Sequence, residues 1–215
     1  MATVNQAEHV FRMLNRPLWV VTAGDGSRQG GLIATWVTQA SLAPDRPVIC
    51  AGLAPNHFTT ELVLASRSFA VHLLRKDQSA VAFPFCLASG RDVDKIKECR
   101  SQGIEFQQGT RPAPRLADCL AAMECDVYAH LHTGDRIYFW ADVVATHLHE
   151  SATNHTGSQD LAEPLCEHDF FQSATDVQLS RLRDDMEADI RQQRPWHETW
   201  RDNLPAICQL PERES

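Results

Sequence analysis

Gly30-Gly31-Leu32-Ile33-Ala34-Thr35-Trp36-Val37-Thr38-Gln39-Ala40-Ser41-Leu42, continued by Ala43-Pro44-Asp45-Arg46-Pro47, is the stretch whose reading decides the fold. Two glycines open it, and small or hydroxylic residues recur at Ala34, Thr35, Thr38, Ala40 and Ser41. Small side chains let a backbone approach a flat ligand closely, and N–H and hydroxyl groups can then bond a ring edge or a phosphate. Trp36 adds one broad aromatic face. Taken alone, the residues also suit an ordinary hairpin strand whose small side chains only permit close packing.

Outward from that stretch, the chain is that of a soluble globular protein. Its 215 residues are 43% hydrophobic and 22% charged, enough for one full core and an appendage. The net charge of −8, without a basic stripe, argues against nucleic acid or an anionic membrane as partner. No apolar run reaches spanning length and Met1 to Glu8 lacks a secretory signal, so the cytoplasm is the expected location. Seven scattered cysteines without a C-x-x-C pair read as free thiols, which makes the sequon Asn154-His155-Thr156 accidental.

In order, residues 4–14 carry a helical apolar spacing, and Asn15-Arg16-Pro17 stops it. Leu18 to Ala23 reads as a buried strand and Gly24-Asp25-Gly26 as its hairpin turn. The quoted stretch supplies the next strand, Val48 to Leu53 another, His57 to Ala65 a short helix, Phe69 to Leu74 a strand and Gln78 to Phe85 a helix. Residues 87–115 are a polar excursion of loops and short pieces. Leu116 to Leu131 and Ile137 to His147 form two long strands joined at Thr133-Gly134-Asp135-Arg136, with Gly first as a type II′ turn prefers. Residues 150–168 read as a flexible loop. Thr175 to Arg194 sets Leu179, Leu182, Met186 and Ile190 on one helical face, ends at Pro195, and is followed by a turn bearing Trp196 and Trp200. Such a tail must dock on its own barrel or on a second subunit. Two units follow: 1–150, and an extension over 151–215. Short strands with interspersed helices, and no G-x-G-x-x-G, argue for a mainly β barrel rather than a dinucleotide-binding sheet.

The motif Gly31-x-x-Ala34-x-Trp36-x-x-Gln39-x-Ser41, then a proline and the strand from Val48, resembles the signature of the flavin reductase-like family, the FMN-binding split barrels. Asn56-His57-Phe58-Thr59 and Phe69 continue the match at the family's spacing, and the resemblance spans about residues 15 to 147. It implies a Greek-key-like split β-barrel with a C-terminal helical extension, a homodimer, and FMN as cofactor. It also implies hydride transfer from NADH or NADPH to the flavin, with an electron-acceptor protein such as an oxygenase as a further partner. A flavin-binding carrier without NAD(P)H oxidation is the alternative.

Carried over residue by residue, the resemblance puts the isoalloxazine ring against Ala34, Thr35, Trp36 and Val37, with Gln39, Ala40 and Ser41 at the ring edge or phosphate. Asn56 and the Thr59 hydroxyl would face the phosphate at a helix N-terminus, where free N–H groups and the dipole favour an anion; both residues also suit plain capping. Asp92-Val93-Asp94-Lys95-Ile96 matches the family's D-K-F element in part, which makes Lys95 either a phosphate contact or a solvated surface residue. Gly134-Asp135-Arg136 departs from the usual Gly-Asp-His: Arg136 cannot hand over a proton, but it can hold a phosphate. Its other reading is a turn residue in solvent.

The histidines do not suggest a metal. His130 and His132 share one strand face and His147 and His149 another, but the pairs stand about 30 Å apart along the hairpin. Cys86, Cys99 and Cys119 lack the basic neighbours of an activated thiolate.

Overall fold

The computed structural model describes residues 2–153 and 163–208. The elements are α1 (Ala2–Met13), β1 (Trp19–Gly24), β2 (Gln29–Ala34), β3 (Val37–Gln39), β4 (Val48–Leu53), α2 (Phe58–Ser66) and β5 (Ser68–Leu73). There follow α3 (Ser79–Cys86), α4 (Lys95–Ser101), β6 (Phe106–Gln108), β7 (Pro114–Leu116), β8 (Ala121–His132) and β9 (Ile137–Leu148). The chain closes with α5 (Glu150–Thr153), α6 (Glu167–Ser173) and α7 (Asp176–Asp202). No described helix is long and apolar enough to cross a membrane.

Among the described residues one antiparallel sheet runs β2-β1-β5-β8-β9-β4-β3. Its first and last strands are consecutive in sequence. Ala34 ends one edge, Val37 begins the other, and the three residue steps from one to the other can reach at most about 11 Å. The two edges must therefore lie side by side, and the sheet curls into a barrel. The quoted stretch is thus not the single strand its composition suggests, because it breaks at Thr35-Trp36 where it crosses from one edge to the other.

Inside the curl lie Val21, Ala23, Leu32, Ala34, Ile49, Ala51, Leu53, Phe69, Val71, Phe139 and Ala141, with Leu62 and Val63 of α2 closing one end. The opposite face of β1, at Val20, and Leu18 just before it pack on Phe83 and Phe85 of α3, Ile96 of α4, Phe170 of α6 and on Leu165 ahead of α6. A strand buried on both faces explains the near-continuous apolar run from Leu18 to Ala23.

Two segments differ from the sequence reading, and a third, read as loops and short pieces, is filled in by the structure. Residues 87–115 contain α4, capped where the Asp94 carboxylate accepts from the Lys97 N–H at 2.9 Å. Of the polar stretch 150–168, the part from Glu163 on is docked. Leu165 is fully buried, gives its N–H to Leu74 O and accepts from Leu18 N–H, both at 2.9 Å. The sequon lies outside the described residues. Finally, α7 does not stop at Pro195 but runs on to Asp202. A proline removes one N–H and crowds the preceding turn, a cost that tertiary contacts beyond it can offset. Here Gly134 abuts the backbone of Trp196 and His197 so closely that a Cβ would sit 2.6 Å from Trp196 O. Gly134 is at φ +85° and Asp135 is not in the left-handed region, the pattern of the II′ turn read from the sequence.

Candidate functional site

Each piece of the quoted ribbon has a distinct environment. Ala34 is buried at the end of β2, Thr35 is half-buried in the bend, and Trp36 is 40% exposed. The Trp36 carbonyl accepts the Gly52 N–H at 2.8 Å. Gly52 allows this approach, since a Cβ there would lie 2.9 Å from the Tyr138 ring. Val37 is half-buried, whereas Thr38, Gln39 and Ala40 are exposed along the outer edge of β3. The Ser41 hydroxyl is used inside the loop: it donates to Arg46 O at 2.9 Å and accepts the Val48 N–H at 3.0 Å. The Gln39 side chain donates to Ser41 O at 2.6 Å, so the loop that closes the ribbon is held in one shape.

Arg136, at the end of the β8–β9 turn, lies over the indole with its guanidinium carbon 4.5 Å from the Trp36 ring centroid. The indole face is therefore covered by a cation rather than open. Arg136 also donates to Asp135 O at 2.6 Å and to the Gln193 side-chain oxygen at 2.5 Å. Burial pulls its pKa down, partly countered by Asp135, Tyr138 and Asp189. It is no solvated turn residue.

The start of α2 sits beside it. No side chain caps the helix, since His57, the residue at the cap position, reaches Asp189 Oδ2 at 2.9 Å instead. Of the first turn, the Thr60 N–H goes to His57 O at 3.1 Å, which leaves those of Phe58 and Thr59 for an outside acceptor. Thr59 is 3% exposed in that first turn. Asn56 donates to Asp189 Oδ1 at 2.8 Å and accepts from the Gln193 amide at 3.0 Å. Gln193 therefore bridges Asn56 to Arg136, and with Trp36 these residues form one contiguous cluster.

Lys95 does not join it. It is 5% exposed and donates to the Phe85 carbonyl at 2.8 Å, which closes the C-terminal end of α3. Desolvation pulls its pKa down. Of its two readings, a solvated surface lysine is ruled out by this burial, and none of its hydrogen bonds reaches Asn56, Trp36 or Arg136.

Sequence reasoning missed the α7 side of the cluster: Asp189, Gln193 and His197. His197 Nδ1 lies 3.2 Å from Asp135 Oδ1. Burial alone would raise the Asp189 carboxyl, but hydrogen bonds from His57 and Asn56 and the nearby Arg136 outweigh it and hold the pKa below the ordinary value. A signal was available. At 100° per residue, Asp189 and Gln193 fall on the same helical face as Leu182, Met186 and Trp196, and polar residues inside an apolar stripe ask for polar partners. The stripe itself is only partly used, for Met186 stays 54% and Ile190 46% exposed.

A cleft of about 360 Å³ opens on the other side of Phe58, lined by Gly26–Gln29 and Gly90–Asp94. Its two arginines are already engaged: Arg28 pairs with Asp25 and Glu61, and Arg91 with Glu61 and the Asn56 carbonyl. Among the described residues no three His, Cys, Asp or Glu side chains group as a metal site. Burial pushes the thiols of Cys86 and Cys125 up to about 12 and those of Cys99 and Cys119 to about 11, so none is poised as a thiolate.

Comparison with known proteins accords with this arrangement. An uncharacterised protein of Aeropyrum pernix is 30% identical over 148 residues, which are 68% of this chain and 54% of that one. Diflavin flavoprotein A 1 of Synechocystis is 26% identical over 139 residues, 63% of this chain and 23% of that protein. The match thus spans about half of the first relative and about a quarter of the second. Among solved structures, the FMN-binding protein of Thermus thermophilus superimposes with a TM-score of 0.59 at 26% identity, covering 67% of this chain and 77% of that one. The NADH:FAD oxidoreductase of Streptomyces globisporus gives 0.58 at 26%, covering 67% and 81%. The flavin reductase like domain matches residues 11–165, the whole barrel with its bend, its uncapped helix and its long hairpin, and the chain belongs to that flavin-binding family.

Proposed function

We propose that the protein is an FMN-dependent NAD(P)H:flavin oxidoreductase that acts as a homodimer and hands its electrons to an acceptor such as a partner oxygenase. The observation that carries this reading is the pairing of an exposed ribbon edge, Thr38 to Ala40, with an uncapped helix start at Asn56–Thr59. The residues present fit a flavin mononucleotide. Ala34, Thr35, Trp36 and Val37 would flank the ring, the backbone of Gln39, Ala40 and Ser41 its polar edge, and Asn56 with Thr59 its phosphate. Arg136 supplies a half-buried cation beside both. Lys95 would act indirectly, by holding the end of α3.

When bound, the flavin accepts a hydride from nicotinamide, and the protein's part is to bind, orient and exclude water. Trp36, one face of which carries Arg136, would give a rigid wall beside the ring. Arg136 stabilises negative charge that develops on the ring or rests on a pyrophosphate. No side-chain nucleophile is needed. Exposed apolar residues on α7 (Met186, Ile190) and on the long hairpin (Tyr128, Val144, Leu148) support a second copy as partner.

Purified protein mixed with FMN is expected to retain the yellow chromophore through gel filtration and to lose its long-wavelength absorbance on anaerobic addition of NADH or NADPH. Retention of colour without bleaching by either nucleotide would favour the second reading, an electron carrier. Arg136 in place of histidine and the extra C-terminal helices favour that reading. The phosphate contact has its own test. Thr59→Val, nearly isosteric, is expected to weaken FMN about tenfold while leaving riboflavin unchanged, because one charge-assisted hydrogen bond is lost. Equal weakening of both ligands in a fluorescence titration would remove Thr59 from the phosphate site.

A further inference from the structure

We propose that α7 is a built-in cover for the flavin site, docked on the residues that would hold the ligand, and that the ligand enters only when the second half of this helix lifts. The inference rests on the flavin reading above. Its ground is which residues α7 touches. Beyond Leu182 the helix reaches the cluster through four polar side chains, one of them Gln192, whose side-chain oxygen accepts from Asn56 at 3.2 Å. Asp189 takes Asn56 and His57 at 2.8 and 2.9 Å. Gln193, 6% exposed, takes Asn56 at 3.0 Å and Arg136 at 2.5 Å. His197 takes Asp135 at 3.2 Å.

Asn56 and Arg136 thus already spend hydrogen-bonding capacity on the chain's own helix. Their flavin contacts compete with Gln193 rather than add to it. The contact is also made to be broken. A polar interface loses little when water replaces it, unlike a buried apolar one. In the covering half Met186 and Ile190 stay half-exposed, so its apolar burial is confined to the end around Trp196 and Trp200. The helix is firmly rooted elsewhere. Its start is fixed by a capping box at Thr175 and Gln178, and Leu182 packs against the core under α3 and α6. A helix rooted at one end and held by polar contacts at the other is a hinged element, and Pro195 lies in the held half.

The test uses the full-length chain. Stopped-flow fluorescence gives the FMN association rate for the wild type, for Asp189→Asn/Gln193→Ala, and for Asp135→Cys/His197→Cys oxidised and reduced. The loosened double variant should take up FMN at least about tenfold faster than wild type, a loss of about 1.4 kcal/mol from the opening step. The oxidised cysteine pair should take it up at least about tenfold slower, and reduction should restore the rate. In hydrogen exchange of the free protein, residues 186–202 should open more readily than residues 176–185. Equal association rates across all forms, with FMN still bound, would overturn the cover and leave the flavin reading standing. FMN uptake by none of the forms would overturn both. If the double variant fails to fold, the cysteine pair decides alone.

Discussion

Glu124→Ala is expected to lower unfolding stability by about 3–5 kcal/mol, as befits a buried charge removed from a full set of partners. Glu124 is 1% exposed on β8, yet its carboxylate has four donors. Oε2 accepts the Thr110 N–H at 2.6 Å, the Thr110 hydroxyl at 2.8 Å and the Arg111 N–H at 3.1 Å. Oε1 lies 2.9 Å from His147 Nε2. Burial raises the carboxyl, but these bonds overcome it and bring the pKa below the ordinary value. Alanine would strip the acceptor from two backbone N–H groups at once and leave a cavity under Gly109, whose missing Cβ is what lets the carboxylate in. Glu124→Gln keeps one oxygen where three of the four donors converge and should cost clearly less. Urea unfolding of the three proteins at pH 7 reads the difference, and equal midpoints for wild type and Glu124→Ala would refute the clasp.

Acid should destabilise the protein through a different residue before Glu124 protonates. His72 is fully buried on β5, with Nδ1 3.0 Å from Val20 O and Nε2 accepting the Leu116 N–H at 3.1 Å. That pattern needs the neutral ring with its proton on Nδ1, because a protonated Nε2 would face the Leu116 N–H with a second hydrogen. Desolvation accordingly pulls the pKa from 6.5 down to about 4. The sign follows from the unfolded chain binding the proton first. The stability is present above pH 6.5 and is lost as pH falls towards 4, by about 3 kcal/mol over that window. Glu124, whose folded pKa is depressed, adds its own loss only below its ordinary value of 4.5. His72→Gln, which can still donate and accept, should flatten the pH 4–6.5 part of the curve. Denaturant midpoints measured across that range test it, and an unchanged slope in the variant would assign the acid sensitivity elsewhere.

Local pattern carried much of the fold into the sequence. Val48 to Leu53 is a strand with the bounds its proline bracket and apolar run indicate, and Gly134 makes the turn that its place before Asp135 requires. The break at Thr35-Trp36 was not legible as a break. Alternation reports which face a residue occupies, not which edge of a sheet its strand joins, and β2 and β3 differ only in the edge. Pro195 misled for the opposite reason, because its local penalty is real but contacts at Gly134 and Asp135 outweigh it. At the site, the resemblance singled out Trp36, Asn56 and Arg136, and the fold brings them into one cluster. The burial of Lys95 was not legible, because a charged side chain reads as exposed unless its partner is known, and the Phe85 carbonyl is invisible in sequence. Asp189 and Gln193 were overlooked because only the apolar members of the α7 stripe were read.

The central claim is a matter of place, and a crystal structure of the protein soaked or grown with FMN tests it most directly. The account predicts the ring along residues 34–41 with its phosphate at the first turn of α2, contacting Asn56 and Thr59, and α7 displaced from Met186 onward. An FMN ring seated instead in the cleft between Gly26–Gln29 and Gly90–Asp94, with Gln193 still bridging Asn56 and Arg136, would contradict it.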